Sequence, residues 1–158
     1  MCIRDSGTVV AGAWNLNGGA AYVYRTTDGG GTYPQVAKLS SDCVNVFYPS
    51  QPCSGDAFGA SVAISESGDT IVAGAWGHDD AKYDAGVYSA STDMGSAYVF
   101  RASDGTQLAK VTADGAAGDE FGDTVAISGD TIVVGASGKD ATNYGTHCAA
   151  YVLSLIHI

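Results

Sequence analysis

Asp119-Glu120-Phe121-Gly122-Asp123-Thr124-Val125-Ala126-Ile127-Ser128, running on through Gly129 into Asp130-Thr131-Ile132-Val133-Val134-Gly135-Ala136, is the stretch on which the fold turns. Its first half stands upstream as Asp56-Ala57-Phe58-Gly59-Ala60-Ser61-Val62-Ala63-Ile64-Ser65, and its second half as Asp69-Thr70-Ile71-Val72-Ala73-Gly74-Ala75. A third copy of the second half is Thr8-Val9-Val10-Ala11-Gly12-Ala13. Moving outward, Gly95-Ser96-Ala97-Tyr98-Val99-Phe100-Arg101 is matched by Gly19-Ala20-Ala21-Tyr22-Val23-Tyr24-Arg25 and by Ala149-Ala150-Tyr151-Val152. Gln35-Val36-Ala37-Lys38-Leu39 likewise pairs with Gln107-Leu108-Ala109-Lys110-Val111. The equivalent glycines Gly12, Gly74 and Gly135 lie 62 and 61 positions apart. Four short β-type segments in a period of about 60 residues make a propeller blade with generous loops. Helical periodicity is absent. The expected fold is therefore all-β, a β-propeller fragment of about two to two and a half four-stranded blades.

The connections fit the same frame. Ser67-Gly68-Asp69 and Ser128-Gly129-Asp130 read as tight hairpin turns in which glycine supplies positive φ. Thr27-Asp28-Gly29 and Ser103-Asp104-Gly105 mark a second hairpin per blade. The strands do not alternate strictly between apolar and polar residues, as expected when each sheet packs both faces on neighbouring blades. Gly74-Ala75 and Gly135-Ala136 are placed where strands must approach closely and a larger side chain would not fit.

Composition narrows the function. The chain holds 17 acidic and 7 basic residues, a net charge of -10, which repels phosphate backbones and argues against nucleic acid and anionic membranes. No apolar run approaches the length of a bilayer span, so membrane insertion is not expected in this segment. With 46% hydrophobic residues the chain is not disordered, and 22 glycines against 3 prolines suit short strands and tight turns. Cys43 and Cys53 bracket a loop containing Pro49 and Pro52, without metal-binding C-x-x-C spacing. The preferred reading is a short loop-closing disulfide between them, placing the protein outside the cytosol; two buried free thiols are the alternative. Cys148 has no evident mate.

The two ends follow a different logic. Met1-Cys2-Ile3-Arg4-Asp5 is what ATG TGT ATA AGA GAC would encode, and Leu153-Ser154-Leu155-Ile156-His157-Ile158 is what CTG TCT CTT ATA CAC ATC would encode. These strings are reverse complements over most of their length and resemble a mosaic-end sequencing adapter read inward from each side. Residues 1–6 and 153–158 are therefore expected to be adapter-derived, and 7–152 to be the native partial propeller. On that reading Met1 is no evidence of a true start, and the lack of a signal peptide says nothing of localisation.

Phe58-Gly59 followed by Gly74-Ala75-Trp76, and Phe121-Gly122 followed by Gly135-Ala136-Ser137, resemble the FG-GAP repeats of integrin-α-like propellers. The resemblance extends over nearly all of 7–152. It implies a seven-bladed parent ring whose remaining blades are partners of these. The third position of the GAP signature is Trp14, Trp76 or Ser137 here, where the family has proline. Many such repeats carry a D-x-D-x-D-G calcium loop between the first two strands. Calcium needs six to eight oxygen ligands, and Glu66-Ser67-Gly68 in one copy or Gly129 in the other cannot wrap an ion, so that site is absent from these blades.

The loop after Trp76 is the remaining place for an ion: Asp79, Asp80 and Asp84 offer three carboxylates, with calcium the candidate and a solvated acidic loop the ordinary explanation. No cofactor is firmly expected. The counterparts of this loop, Asn15-Leu16-Asn17-Gly18 and Gly138 to Asn143, differ in length and sequence, and loops that vary on a repeating frame carry recognition. Trp14, Trp76, Tyr83 and Tyr88 are the ligand-contact candidates, although the two tryptophans hold equivalent positions and also suit packing between blades. Catalysis is not expected. His78 and His147 sit in loops without a nucleophile motif, and Asp28-Gly29-Gly30-Gly31-Thr32 lacks the lysine of a P-loop. Repetition of Asp56 as Asp119 favours a turn or capping role over acid-base chemistry.

The expected function is thus a secreted or cell-surface, non-catalytic binding or adhesion module for a protein or glycan ligand of the cell surface or matrix. The alternative is an accessory propeller of an exported hydrolase or lyase whose catalytic part lies outside this sequence. A plain spacer in a surface array is the third reading.

Overall fold

The computed structural model describes residues 2–5, 7–15, 18–42, 55–78, 82–84, 87–89, 93–113, 118–138 and 148–157, with backbone alone at 2–5, 82–84, 87–89 and 157. β1 (Cys2–Asp5), β2 (Thr8–Ala13), β3 (Ala20–Arg25) and β4 (Gln35–Leu39) form the first sheet, in that spatial order. The second sheet contains β5 (Val62–Ile64) and β6 (Thr70–Ala75). After an inserted two-stranded ribbon, β7 (Lys82–Asp84) with β8 (Val87–Ser89), it continues with β9 (Ser96–Arg101) and β10 (Gln107–Val111). β11 (Phe121–Ser128), β12 (Thr131–Ala136) and β13 (Ala149–Ser154) form the third, and a 3-10 turn follows at Leu155–His157. Pairing within each sheet is antiparallel between neighbours. Each sheet is thus an up-and-down blade, and the all-β propeller reading holds. The third blade adds a strand to the expected half blade.

Cys2–Asp5 pairs with β2 in the register Cys2↔Ala11 to Asp5↔Thr8. Backbone donors and acceptors on an open strand edge make such a ladder with little regard to side-chain identity. The predicted hairpin glycines take the expected conformation, with φ of 74° at Gly68 and 54° at Gly129.

The repeated Phe-Gly pair joins one blade to the next. Phe58 and Phe121 form single parallel bridges to Gly19 and Gly95 of the preceding blade. The Phe58 N–H donates to the Gly18 carbonyl (2.9 Å), and the Phe121 N–H to the Met94 carbonyl (3.0 Å). Both rings are buried. Phe58 packs edge-on against Tyr98 and Phe100 at 5.5 and 5.9 Å, and Phe121 against Tyr151 at 5.1 Å. Burying such a ring contributes about 1.5–3 kcal/mol. The following glycine crosses the previous blade so closely that a Cβ on Gly12 or Gly74 would collide with the carbonyl oxygen of Gly59 or Gly122. This is why the two glycines of the motif occur as a set.

Two apolar slabs result. Val10, Ala21, Val23 and Leu39 of the first blade meet Phe58, Val62, Ile71, Tyr98 and Phe100 of the second. On the other side of the second blade, Ala63, Val72, Ala97 and Val99 meet Phe121, Val125, Ile132 and Val134 of the third. Among the described residues, only the middle blade is covered on both faces. Residues 71–75 of β6 are all buried, whereas β12 alternates between exposed and buried positions.

Candidate functional site

The two edges of the blades differ. At one edge the chain turns back, at 65–70, at Gly129-Asp130 and at the second hairpin of the first two blades. Asp28 shows how such a turn is held. Its Oδ1 accepts from the Thr26 hydroxyl (2.6 Å) and from the N–H groups of Gly31 and Thr32, and its Oδ2 from the Thr32 hydroxyl. The Thr26 hydroxyl, then the Thr32 amide and hydroxyl, hold the Asp28 carboxyl well below the usual carboxylate range. Arg25 ties this edge across blades, donating to the Gly68 carbonyl (3.0 Å). The opposite edge carries the connections 14–19, 76–95 and 137–148 between equivalent strands, together with the crossings from one blade to the next.

Beneath that second edge, at the junction of the first two blades, lies a polar cluster. His78 immediately follows Trp76-Gly77 and is buried, at 2% exposure. Its Nδ1 is 3.0 Å from Asp56 Oδ2, and its Nε2 is 2.9 Å from Lys110 Nζ on β10. An ammonium group can only donate, so Nε2 accepts and the ring is neutral, with its proton on Nδ1 and directed at Asp56. Ser41, just beyond β4, donates its hydroxyl to Asp56 Oδ2 (2.8 Å). Asp42 accepts from the Tyr98 hydroxyl (2.8 Å) and lies 3.3 Å from Lys110 Nζ. Lys110 also stands 5.8 Å from the Tyr98 ring centre. Burial pushes the Asp42 carboxyl up, but the Tyr98 hydroxyl and the Lys110 charge and hydrogen bond together hold it below its ordinary value. Burial, then the hydrogen bond and charge of Asp42, raise Tyr98 well above the ordinary phenol value.

Chemically the cluster is a clasp. The His78 nitrogen that could act as a base is already occupied by Lys110, and the ring is shut off from solvent. The cluster fixes the root of the 76–95 connection. The N–H of Gly77 donates to the Asp56 carbonyl (3.2 Å) and that of His78 to the Ala75 carbonyl (3.0 Å); the Gly95 N–H closes the loop onto the His78 carbonyl (3.0 Å).

The sequence candidates fall around this root. Trp14 is exposed (49%) at the end of β2, and Trp76 is partly buried at the equivalent end of β6. Tyr83 and Tyr88 stand opposite each other in the β7–β8 ladder, and Asp84 stands opposite Val87. Asp79, Asp80, Cys43, Cys53 and His147 lie outside the described residues, as does the Asp84 carboxylate. Among the described residues no three His, Cys, Asp or Glu side chains are grouped to hold a metal ion. Cys148 is an exposed free thiol, its Sγ 3.7 Å from the Ser137 carbonyl oxygen.

Reading the sequence for catalysis overlooked the clasp. The available signal was that Asp56, Tyr98 and Lys110 recur as Asp119, Tyr22 and Tyr151, and Lys38, whereas His78 has no repeat counterpart. A non-repeating polar residue beside repeating ones marks a local addition to the frame.

Comparison with curated proteins finds no match. The FG-GAP repeat family matches residues 44–100 and 106–153. The first match runs from the crossing between blades to the end of β9, and the second takes in β10 to β13, so together they cover both Phe-Gly junctions and most of the second and third blades. The matched segments, the bridged Phe-Gly pairs and the antiparallel blades agree with one another: this chain belongs to the FG-GAP repeat family.

Proposed function

We propose that this chain is a non-catalytic extracellular binding or adhesion module, secreted or on the cell surface, that engages a protein or glycan through its long-loop edge. The contrast between the two edges carries the reading. One edge is closed by short glycine turns, while the other holds three connections of different length on strands of constant register. A rigid frame with variable loops is an arrangement suited to recognition. The His78 clasp supports it, because a loop with a fixed root loses less entropy on binding. Trp14 and Trp76, with Tyr83 and Tyr88 on the inserted ribbon, supply aromatic contact area, and Asp79, Asp80 and Asp84 supply negative charge that suits a neutral or basic partner. Among the described residues no helix is long and apolar enough to cross a membrane.

The test is a binding panel of matrix proteins and surface glycans, run on the chain and on a variant in which 79–92 is replaced by the short Asn15-Leu16-Asn17-Gly18 loop. A ligand whose affinity falls at least tenfold on loop replacement, and again with Trp14→Ala, supports the proposal. Binding indifferent to both changes, or no binding across the panel, overturns it and leaves a spacer.

A further inference from the structure

The 76–95 connection builds a small sheet of its own. β7 and β8 pair antiparallel, with Lys82 opposite Ser89, Tyr83 opposite Tyr88 and Asp84 opposite Val87. Among the described residues no third strand joins them, so each strand has one edge without a ladder partner there. The ribbon is separate from the blade sheets, and its edges are not the ones by which blades meet. A two-stranded ribbon is marginal in water and gains from a third strand. Its base is fixed, because the Gly95 N–H donates to the His78 carbonyl (3.0 Å) and the His78 ring is held by Asp56. A partner that settles on the ribbon therefore meets a surface whose root is already ordered.

The two strands differ in sequence. β7 reads Lys82-Tyr83-Asp84, with a charge at each end, and charged side chains, lysine above all, keep exposed edges from pairing. β8 reads Val87-Tyr88-Ser89, and from Ala85 through Thr92 the chain carries no charge. We infer that the β8 edge takes an extended, basic segment of a partner protein as a third strand. Main-chain hydrogen bonds along the edge give the affinity, and side chains at alternate positions of the segment give the selection. The basic character follows from charge: Asp79, Asp80, Asp84 and Asp93 against Lys82 leave the connection acidic. The inference rests on the loop-edge reading and narrows its ligand to a peptide strand, since a glycan would use the aromatic faces and not a strand edge.

The probe is a displayed library of random linear peptides, selected on the full chain and counter-selected on the variant with the short Asn15-Leu16-Asn17-Gly18 loop in place of 79–92. Selected peptides are expected to be basic. N-methylation at every second residue should cost at least tenfold in affinity, with the intervening residues tolerant, because alternate N–H groups of a strand face one neighbour. The double variant Lys82→Ser with Ser89→Lys moves the guarding lysine across a cross-strand pair and leaves composition and net charge unchanged. It is expected to weaken the same peptides at least tenfold, with far-UV circular dichroism unaltered. Where the double variant loses strand content, the methylation scan on the unaltered chain decides. A scan without that alternation, or full affinity in a folded double variant, would overturn the inference and leave the loop edge as a binding surface. A selection that yields no peptide while a glycan still binds through 79–92 would do the same; if neither binds, the loop-edge reading falls with it.

Discussion

Ser96 opens β9 with its side chain fully buried and its hydroxyl without a hydrogen-bond partner among the described residues. The equivalent residues of the other blades are Ala20 and Ala149. An unsatisfied buried hydroxyl costs about 1–3 kcal/mol, so Ser96→Ala is expected to stabilise the chain by about 1 kcal/mol, read as a raised midpoint in denaturant. Tyr98 and Asp42 make the opposite case, and their titrations define two limbs of a stability profile. Tyr98 has a raised pKa, so its contribution is complete below the unfolded value of about 10 and is lost as pH climbs beyond it. Tyr98→Phe should cost about 1 kcal/mol at neutral pH and flatten the alkaline limb. Asp42 has a lowered pKa, so its contribution is present above about pH 4 and is lost as pH falls through the folded value beneath. Asp42→Asn should flatten the acid limb and reduce the alkaline one without abolishing it, because burial is the first cause of the Tyr98 shift. Chemical denaturation from pH 2.5 to 11 checks both signs; an unchanged alkaline limb in Tyr98→Phe would remove the phenol from the account.

At the scale of elements, two glycines in the same repeat position predict different sensitivities. A side chain on Gly74 meets the backbone carbonyl of Gly122 in the next blade, and neither backbone can yield without parting the sheets. Gly74→Val is therefore expected to cost more than about 3 kcal/mol and to expose the Phe121 slab to a hydrophobic dye. A side chain on Gly135 meets the Thr124 hydroxyl, which can rotate away, so Gly135→Ala should cost less than about 1 kcal/mol. Equal losses would mean that glycine is needed there for its strand and not for the junction. The strands, their tight turns and the close approach at Gly74 were legible in the sequence because each repeats, and repetition separates the frame from its decoration; the approach expected at Gly135 meets only the Thr124 side chain. The His78 clasp was not, since Ser41, Asp42, Asp56, His78, Tyr98 and Lys110 come from distant parts of the chain and lack helical or strand spacing. Asp114 occupies the position equivalent to Asp42, and it lies outside the described residues.

For the whole molecule, coverage ranks the blades. The middle blade is packed on both faces and should hold the slowest-exchanging amides, in 71–75 of β6 and 97–99 of β9, with β13 of the third blade exchanging sooner. Deuterium uptake followed by peptide mass spectrometry checks the order, and uniform protection over the three blades would contradict it. The sequence by itself determined the repeat period, the all-β class, the place of the hairpin glycines Gly29, Gly68, Gly105 and Gly129, and the acidic character. These are local or compositional properties, set by the φ that a residue allows, the branching of its side chain and its charge. Only the tertiary structure decided which faces are covered. Val99 and Val152 hold the same repeat position, yet one is sealed and the other exposed, because burial depends on what stands opposite a face, which the strand itself does not encode. It also decided that His78, a loop residue by its neighbours in sequence, lies buried between a carboxylate and an ammonium group. That environment exists only once β10 and the segments that precede β5 and follow β6 have come together.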